Sequence, residues 1–225
     1  MRVEQPLGTR GSQKWLQLAI DRAPNVLQEL ILPSLPGATS VVWRSPLRTD
    51  GYAEYRDASF LKLIGQEALS TELGSFWPSK GPQWDALGVS DAGHVLLVEA
   101  KAHIPELFSP KTGATNASRA RIQAAFGTVA KALGAEPKAD WSECFYQYAN
   151  RVAHLWFLRN KGVDAKLVLL GFLNDKDIHG PSSAEAWHAA YTVVDYVLGL
   201  PNLHPLCEHI LHVELDSKPL IPSVA

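Results

Sequence analysis

The segment WDALGVSDAGHVLLVEAKAH, residues 84 to 103, constrains the fold most, because it predicts a β-hairpin with charged side chains among apolar ones. Alternate residues of an extended chain share one face. One face of the second strand therefore carries Val95, Leu97, Glu99 and Lys101. Two charges at the end of an otherwise apolar face make this hairpin the candidate functional site.

The turn of this hairpin fixes its register. Residues 91 to 93, Asp-Ala-Gly, have turn chemistry, and the glycine can adopt a positive φ. A three-residue loop there closes Ser90 against His94. Counting outward from that pair places Asp85 opposite Glu99.

Two opposed carboxylates need a compensating positive charge. Directly opposed side chains on antiparallel strands have Cβ atoms about 5 Å apart, where like charges destabilise the pair. A hard divalent cation between Asp85 and Glu99 would remove this repulsion. Lys101, roughly 7 Å along the same face from Glu99 by strand rise, supplies a second positive group.

The pattern of Asp85, thirteen residues and then Glu99-Ala100-Lys101 resembles the motif of the PD-(D/E)XK nuclease superfamily, which has the restriction-endonuclease-like fold. The resemblance implies that Asp85 and Glu99 bind Mg²⁺ or Mn²⁺ and that the carbonyl of Ala100 adds a ligand. It also implies that Lys101 helps to activate water for attack on a phosphodiester.

The resemblance depends on context as much as on the residue types. The proline departs from the motif, because Pro82 lies three residues before Asp85 and Trp84 takes the adjacent place. Similar tripeptides occur at residues 136–138 and 216–218. They lie in a Gly/Pro-containing connection and at a strand end before a proline, and neither has a hairpin partner that carries an Asp.

The order of predicted elements indicates an α/β protein with a mixed central sheet flanked by helices. The predicted elements are two helices in 12–31, a strand at 40–44, helices at 51–65, 117–133 and 141–160, a strand at 166–173, a helix at 184–198 and a strand at 212–216. This order matches the αβββαβ core of the nuclease fold, with one core strand not visible between residues 74 and 80. We expect one globular unit, in which residues 1–50 form an N-terminal helical extension packed on a nuclease-like domain of residues 51–225.

Composition limits the classes of partner. The formal net charge of the 225 residues is −2 and the isoelectric point is about 6.4, so any contact with nucleic acid must be local. Two cysteines are too few for a disulfide framework, and no stretch approaches the roughly 18 apolar residues of a membrane span. We expect a cytoplasmic protein without a signal peptide or membrane contact.

A further carboxylate is expected from the helix predicted at residues 51–65. The resemblance implies one more acidic residue on the helix before the motif, and the candidates are Glu54, Asp57 and, if the helix continues past residue 65, Glu67. We favour Glu54, since two turns of helix remain beyond it to anchor the core, and Asp57 is the next choice. The alternative is that Glu54 or Asp57 forms an ion pair with Arg44, Arg48 or Arg56.

The helix predicted at 141–160 carries a polar stripe that lacks Lys and Glu. Its members are Gln147, Asn150, Arg151 and His154. Gln147 and Arg151 are candidates for orienting the metal-binding carboxylate or a phosphate, and the forked guanidinium of Arg binds two oxygens at once. The alternative is a solvated helix face. Near the helix predicted at 117–133, scattered cations such as Lys111 either form a basic rim for a nucleic-acid backbone or only aid solubility.

Three interpretations of these patterns are open. The first is a Mg²⁺-dependent nuclease with DNA as its partner and with Asp85, Glu99, Lys101 and Glu54 as the catalytic set, and the sequence leaves endo and exo cleavage open. The second is a catalytically inactive nuclease-fold module that binds nucleic acid or a protein. The third is an unrelated α/β protein in which Glu99 and Lys101 form a structural ion pair. Because no separate recognition domain is visible, a homodimer or a protein partner is a possible source of specificity.

Overall fold

The computed structural model describes residues 1–220. The strands are β1 Arg2–Val3, β2 Val41–Ser45, β3 Glu54–Tyr55, β4 Ala86–Ser90, β5 Val95–Lys101, β6 Ala165–Leu173 and β7 Ile210–Asp216. The α-helices are α1 Gly11–Arg22, α2 Pro24–Ile31, α3 Ala58–Leu63, α4 Ser70–Phe76, α5 Asn116–Leu133, α6 Tyr146–Asn160 and α7 Ala184–Leu198. None of the helices in this range has the length and apolar character needed to cross a membrane.

A five-stranded mixed sheet forms the centre of the molecule, in the order β2-β4-β5-β6-β7. Strands β2, β4 and β5 form an antiparallel meander, whereas β5, β6 and β7 run parallel. A parallel neighbour requires a crossover connection. Helices α5 and α6 supply it between β5 and β6, and α7 supplies it between β6 and β7. The predicted α/β class, with a mixed sheet flanked by helices, is confirmed.

The sheet is covered on both faces, which explains why its central strands are almost entirely apolar. On one face, α1 and α2 pack against Leu96, Val98 and Ala100 of β5 and against alternate residues of β6. On the other face, Leu97 of β5 joins a larger core formed with α3 to α7. Because residues of β5 alternate between these cores, Glu99 and Lys101 belong to the face covered by α6.

The sheet strand expected at residues 74–80 lies elsewhere in the sequence. Residues 70–76 form helix α4. The strand that completes the meander with β4 and β5 is β2, Val41–Ser45, which pairs with β4. Residues 1–50 therefore contribute an edge strand to the central sheet in addition to the helices packed on it. The forty residues between β2 and β4 form an insertion that contains β3, α3 and α4.

The helix predicted at residues 51–65 is wrong in its first half. Gly51, Tyr52 and Asp57 all have positive φ, which a right-handed helix does not allow. The backbone of Glu54–Tyr55 is instead paired with Arg2–Val3, so its hydrogen bonds are satisfied by a strand. Helix α3 begins only at Ala58.

The helix predicted at residues 141–160 begins later than expected. Phe145 has a φ of 50° and interrupts the helical pattern, so α6 begins at Tyr146. Its backbone then continues to Asn160, as predicted. The other predicted helices and strands after residue 105 agree with the structure to within two residues.

Gly171 of β6 provides a test of this packing. A Cβ at Gly171 would lie 2.7 Å from the ring of Trp187, which is fully buried. We expect Gly171→Ala to lower the free energy of unfolding by about 2 kcal/mol through overpacking. Gly127 in α5 has open space around its Cα, so Gly127→Ala is the matched control and should stabilise by about 0.5–1 kcal/mol. Urea unfolding of both variants measures the difference, and equal effects would contradict the packing described.

Candidate active site

The β4–β5 hairpin has the predicted register. Ala86 pairs with Val98, so the next pair outward brings Asp85 opposite Glu99. At the other end, the N–H of Ser90 donates to the carbonyl of His94 at 2.9 Å. This hydrogen bond closes the three-residue turn, whose last residue is a glycine with a φ of 89°. Hydrophobic alternation and turn chemistry were sufficient to set this geometry.

A cavity of about 450 Å³ opens beside the end of this hairpin. Six of the residues predicted from the sequence line it, and they come from β3, β5, α6 and the residue that precedes β4. These residues are Glu54, Asp85, Glu99, Lys101, Gln147 and Arg151. Side chains far apart in the sequence thus meet in one recess.

Glu99 lies between two cations. Its side chain is buried, with the residue only 4% exposed, and Nζ of Lys101 lies 2.6 Å from Oε1. Nε of Arg151 donates to Oε2, also at 2.6 Å. Burial by itself raises the pKa of Glu99, but Arg151 and Lys101 outweigh burial and hold the pKa below its usual value. Glu99 is therefore ionised at neutral pH.

Arg151 is held rigidly from every side. Its Nη1 donates to Oδ1 of Asn150 at 2.8 Å and its Nη2 donates to the carbonyl of Gln83 at 2.8 Å. The guanidinium also lies over the ring of Trp84, 5.0 Å from the centroid. Asn150, Arg151 and His154 are all buried. The alternative of a solvated helix face is therefore wrong for this stripe.

Lys101 is buried beside the same carboxylates. Its Nζ also donates to Oε1 of Gln147, at 3.3 Å, so both residues singled out on α6 contact the motif. Burial lowers the pKa of Lys101, but Glu99 and Asp85 together outweigh burial and raise it. Lys101 is thus charged at neutral pH and can orient a water or a phosphate oxygen by donating hydrogen bonds.

The pKa of Asp85 reflects the repulsion between its carboxylate and that of Glu99, which the hairpin register places opposite it. Its Oδ2 accepts a hydrogen bond of 2.8 Å from the N–H of Ala100. Burial, and then the charge of Glu99, raise the pKa of Asp85 to about 8. At neutral pH and with no cation in the cavity, Asp85 therefore carries a proton.

Glu54 reaches the cavity from β3 and not from a helix. Its Oε2 accepts hydrogen bonds from Nε2 of Gln83 at 2.5 Å and from Nε2 of Gln5 at 3.1 Å. Burial raises the pKa of Glu54, and the charge of Glu99 adds to this rise. Gln83 was missed in the sequence. It lies two residues before Asp85, however, and the same alternation that placed Glu99 and Lys101 on one face would have found it.

The other two acidic candidates lie outside the cavity. Asp57 accepts hydrogen bonds from the N–H groups of Lys80 and Gly81, at 3.2 and 2.9 Å. Glu67 is exposed in a short 3₁₀ helix. Among residues 1–220, no arginine forms an ion pair with Glu54 or Asp57. The alternative of an ion pair with Arg44, Arg48 or Arg56 is therefore wrong.

The oxygen donors at the cavity suit a hard divalent cation. Mg²⁺ keeps several waters and usually takes only one or two carboxylates from the protein. Asp85 and Glu99 supply two, and Asp85 also lines a smaller cavity of about 40 Å³ together with Ala100 and Glu54. The N–H and carbonyl of a strand residue point to the same side. Because the N–H of Ala100 meets Asp85, its carbonyl faces that side too.

Two observations set conditions on metal binding. Within the described part of the chain, no group of three or more His, Cys, Asp or Glu side chains is arranged to hold a metal ion. Both oxygens of Glu99 contact Lys101 or Arg151. A cation at this place must therefore share Glu99 with Lys101 or Arg151, and the proton on Asp85 must leave.

The two similar tripeptides elsewhere have no comparable surroundings. Glu136 and Lys138 are exposed and lie 3.9 Å apart. Asp216 accepts hydrogen bonds from Nδ2 of Asn174 and from the N–H of Lys218. Neither pair lines the cavity at Asp85.

Comparison of the chain with protein-family models, curated proteins and solved structures gives no match.

Asp85→Asn should stabilise the metal-free protein. The pKa of Asp85 is about 8 in the folded chain and ordinarily 3.8, so its contribution to stability is present at low pH and is lost as pH rises to about 8. An amide avoids this loss while it still accepts the N–H of Ala100. We expect a gain on the order of 1 kcal/mol at pH 8, or about 2–4 °C in Tm, because solvent screens a half-buried group.

Thermal unfolding at pH 5 and at pH 8, with the metal chelated, measures this difference. The advantage of the Asp85→Asn variant should be smaller at pH 5. A variant that is less stable than wild type at pH 8 would show that Asp85 is satisfied by its surroundings and not strained by them.

Proposed function

We propose that this protein is a Mg²⁺- or Mn²⁺-dependent nuclease that hydrolyses phosphodiester bonds in DNA. The observation that carries the proposal is the placement of Asp85 opposite Glu99, with Lys101 next on the same face, at the wall of a cavity. Two opposed carboxylates with a neighbouring lysine are the arrangement that the motif resemblance implies. Buried like charges at a recess are otherwise costly to a fold.

The chain topology supports the same proposal. A helix, a three-stranded antiparallel meander, helices and a parallel strand follow one another as α2, β2, β4, β5, α5 with α6, and β6. This order is compatible with the αβββαβ core that the motif resemblance implies. In this assignment the core includes α2 and β2, and the segment between β2 and β4 is an insertion that delivers Glu54 to the cavity.

Each residue of the proposed site has a distinct task. Asp85, Glu99 and the carbonyl of Ala100 would hold the cation. When bound, Mg²⁺ supplies charge that stabilises the attacked phosphate and makes a bound water more acidic. Lys101 donates hydrogen bonds to the attacking water or to a phosphate oxygen, and Gln147 fixes the position of its ammonium. Arg151 orients Glu99, and its bond to the carbonyl of Gln83 keeps it in place.

A second candidate function is favoured by the contacts of Glu99. Because both of its oxygens contact cations in the folded chain, the same cavity can serve a non-catalytic module that binds nucleic acid or a protein partner. Such a module would keep the fold and the cavity but would not need a divalent cation. Metal binding and strand cleavage separate the two functions.

Cleavage of plasmid and linear DNA tests the proposal. Wild-type protein should cut with Mg²⁺ or Mn²⁺, and Asp85→Ala and Lys101→Ala should each reduce the rate by about 10²-fold or more. Glu136→Ala and Lys138→Ala change the same residue types in an exposed tripeptide and are matched controls that should cut at the wild-type rate. If wild type cuts neither DNA nor RNA with either cation, the enzymatic proposal fails.

Calorimetric titration with Mn²⁺ tests the cation site independently. Wild type should bind the ion, and its affinity should rise between pH 6 and pH 8, because binding displaces the proton from Asp85. Asp85→Asn should abolish binding. Absence of binding to wild type at pH 8 would favour the non-catalytic module or a purely structural Glu99–Lys101 ion pair.

A further inference from the structure

A second cavity of about 400 Å³ extends the recess at Asp85. Lys80 and Tyr146 line both cavities, so the two adjoin. The extension runs between the segment at residues 77–80 and the loop at residues 112–115. Together they form a groove that leads from the proposed catalytic carboxylates toward the surface.

An exposed aromatic side chain lies beside this groove. Phe108 is 69% exposed, and the next three residues, 109 to 111, line the first cavity. The ring of Phe145 supports Phe108 edge-on, with centroids 5.7 Å apart and an interplanar angle of 90°. The face of a supported, solvent-exposed ring can accept a stacked base.

The loop that carries Phe108 is fixed to helix α6 and to the segment that precedes it. Oγ of Ser109 accepts a hydrogen bond of 2.9 Å from the N–H of Gln147, and the N–H of Thr112 donates to the carbonyl of Ser142 at 2.9 Å. The ring is therefore held in place relative to the catalytic residues. A stacking surface that is already formed binds with less loss of conformational entropy.

Apart from the buried Lys101 and Arg151, the groove has few cations. Lys80 and Lys111 are exposed at its lining, and the chain as a whole is slightly acidic. Lys80 has a φ of 68°, and the carboxylate of Asp57 holds this backbone through the N–H groups of Lys80 and Gly81. Strained backbone of this kind occurs preferentially at functional sites. Two cations beside an aromatic ring suit one flexible strand better than a duplex, whose binding rests on many phosphate contacts.

The burial of Glu99 and Lys101 also favours a single-stranded substrate over a duplex. Glu99 and Lys101 are 4% and 9% exposed, so a scissile phosphate must enter the recess to reach them. A rigid duplex presents its backbone on a wide convex surface, whereas an unpaired strand can bend into a recess.

We propose that the groove binds single-stranded DNA, with one base stacked on Phe108 and with phosphates bound by Lys80 and Lys111. This inference rests on the proposed nuclease function and specifies its substrate. Unpaired ends, flaps and gaps in DNA would then be the places where cleavage occurs. Fully paired DNA would be cut only where its ends fray.

Fluorescence anisotropy with a labelled oligothymidylate tests this inference in Ca²⁺, an oxygen-binding cation that replaces Mg²⁺. We expect wild type to bind it more tightly than a blunt duplex of equal length, and Phe108→Ala to weaken binding about tenfold by removing the stacked ring. Tyr196 in α7 is 68% exposed and lies far along the chain from the groove. Tyr196→Ala is therefore the matched control, and its affinity should equal that of wild type.

The salt dependence adds a second readout. The logarithm of the association constant should fall with the logarithm of salt concentration with a slope of roughly −0.7 per phosphate bound. Lys111→Ala should make that slope shallower by about the same amount. Tighter binding to the duplex, or equal losses in Phe108→Ala and Tyr196→Ala, would overturn the inference.

The nuclease proposal and the single-strand groove can be disproved independently. If wild type binds oligothymidylate through Phe108 but cuts no DNA with Mg²⁺ or Mn²⁺, the nuclease proposal falls and the single-strand groove stands. If wild type cuts blunt duplex as fast as single strand, and Phe108→Ala leaves both rates unchanged, the groove falls and the nuclease proposal stands.

Discussion

The burial of Glu99 between Arg151 and Lys101 is the interaction on which the rest of the site depends. An ionised carboxylate at 4% exposure is stable only with well-placed partners. Arg151 reaches it because α6 crosses this face of the sheet, and Lys101 reaches it because both side chains lie on the same face of β5. The crossover from β5 to β6 therefore does more than join two parallel strands, because it brings the arginine to the motif.

The carboxyl groups in this cavity differ in the charge state that their surroundings favour. Glu99 is stabilised as an anion, while Asp85 and Glu54 have raised pKa values because burial and the charge of Glu99 disfavour a second and a third anion. A fold selected for stability alone would replace such groups with apolar ones. Three carboxylates and two buried cations around one recess form the kind of arrangement that is enriched at functional sites.

Local patterns predicted the hairpin register, the α/β class and most helices, because each depends on neighbours in sequence. Asp85 opposite Glu99 follows from alternation and one turn, and Gln147 and Arg151 follow from a helical stripe without Lys or Glu. The interval from residue 46 to 83 could not be predicted in this way. Its backbone is determined by pairing with Arg2–Val3 and by residues with positive φ, and neither leaves a periodic signal. The sequence pattern predicts Glu54 on a helix, but Glu54 reaches the cavity from a strand.

The pairing of Val3 with Glu54 has a consequence for how the protein acquires its chemistry. Residues 2–5 position Glu54, residues 83–101 supply the motif, and residues 147–151 supply the partners of Glu99. Contacts of such large sequence separation form late, because the entropy of closing long loops must first be overcome. A chain still emerging from the ribosome would lack the partners of Glu99 and Lys101 on α6, and the recess would be complete only once synthesis had passed α6. The maturation of the site is thus coupled to completion of the fold.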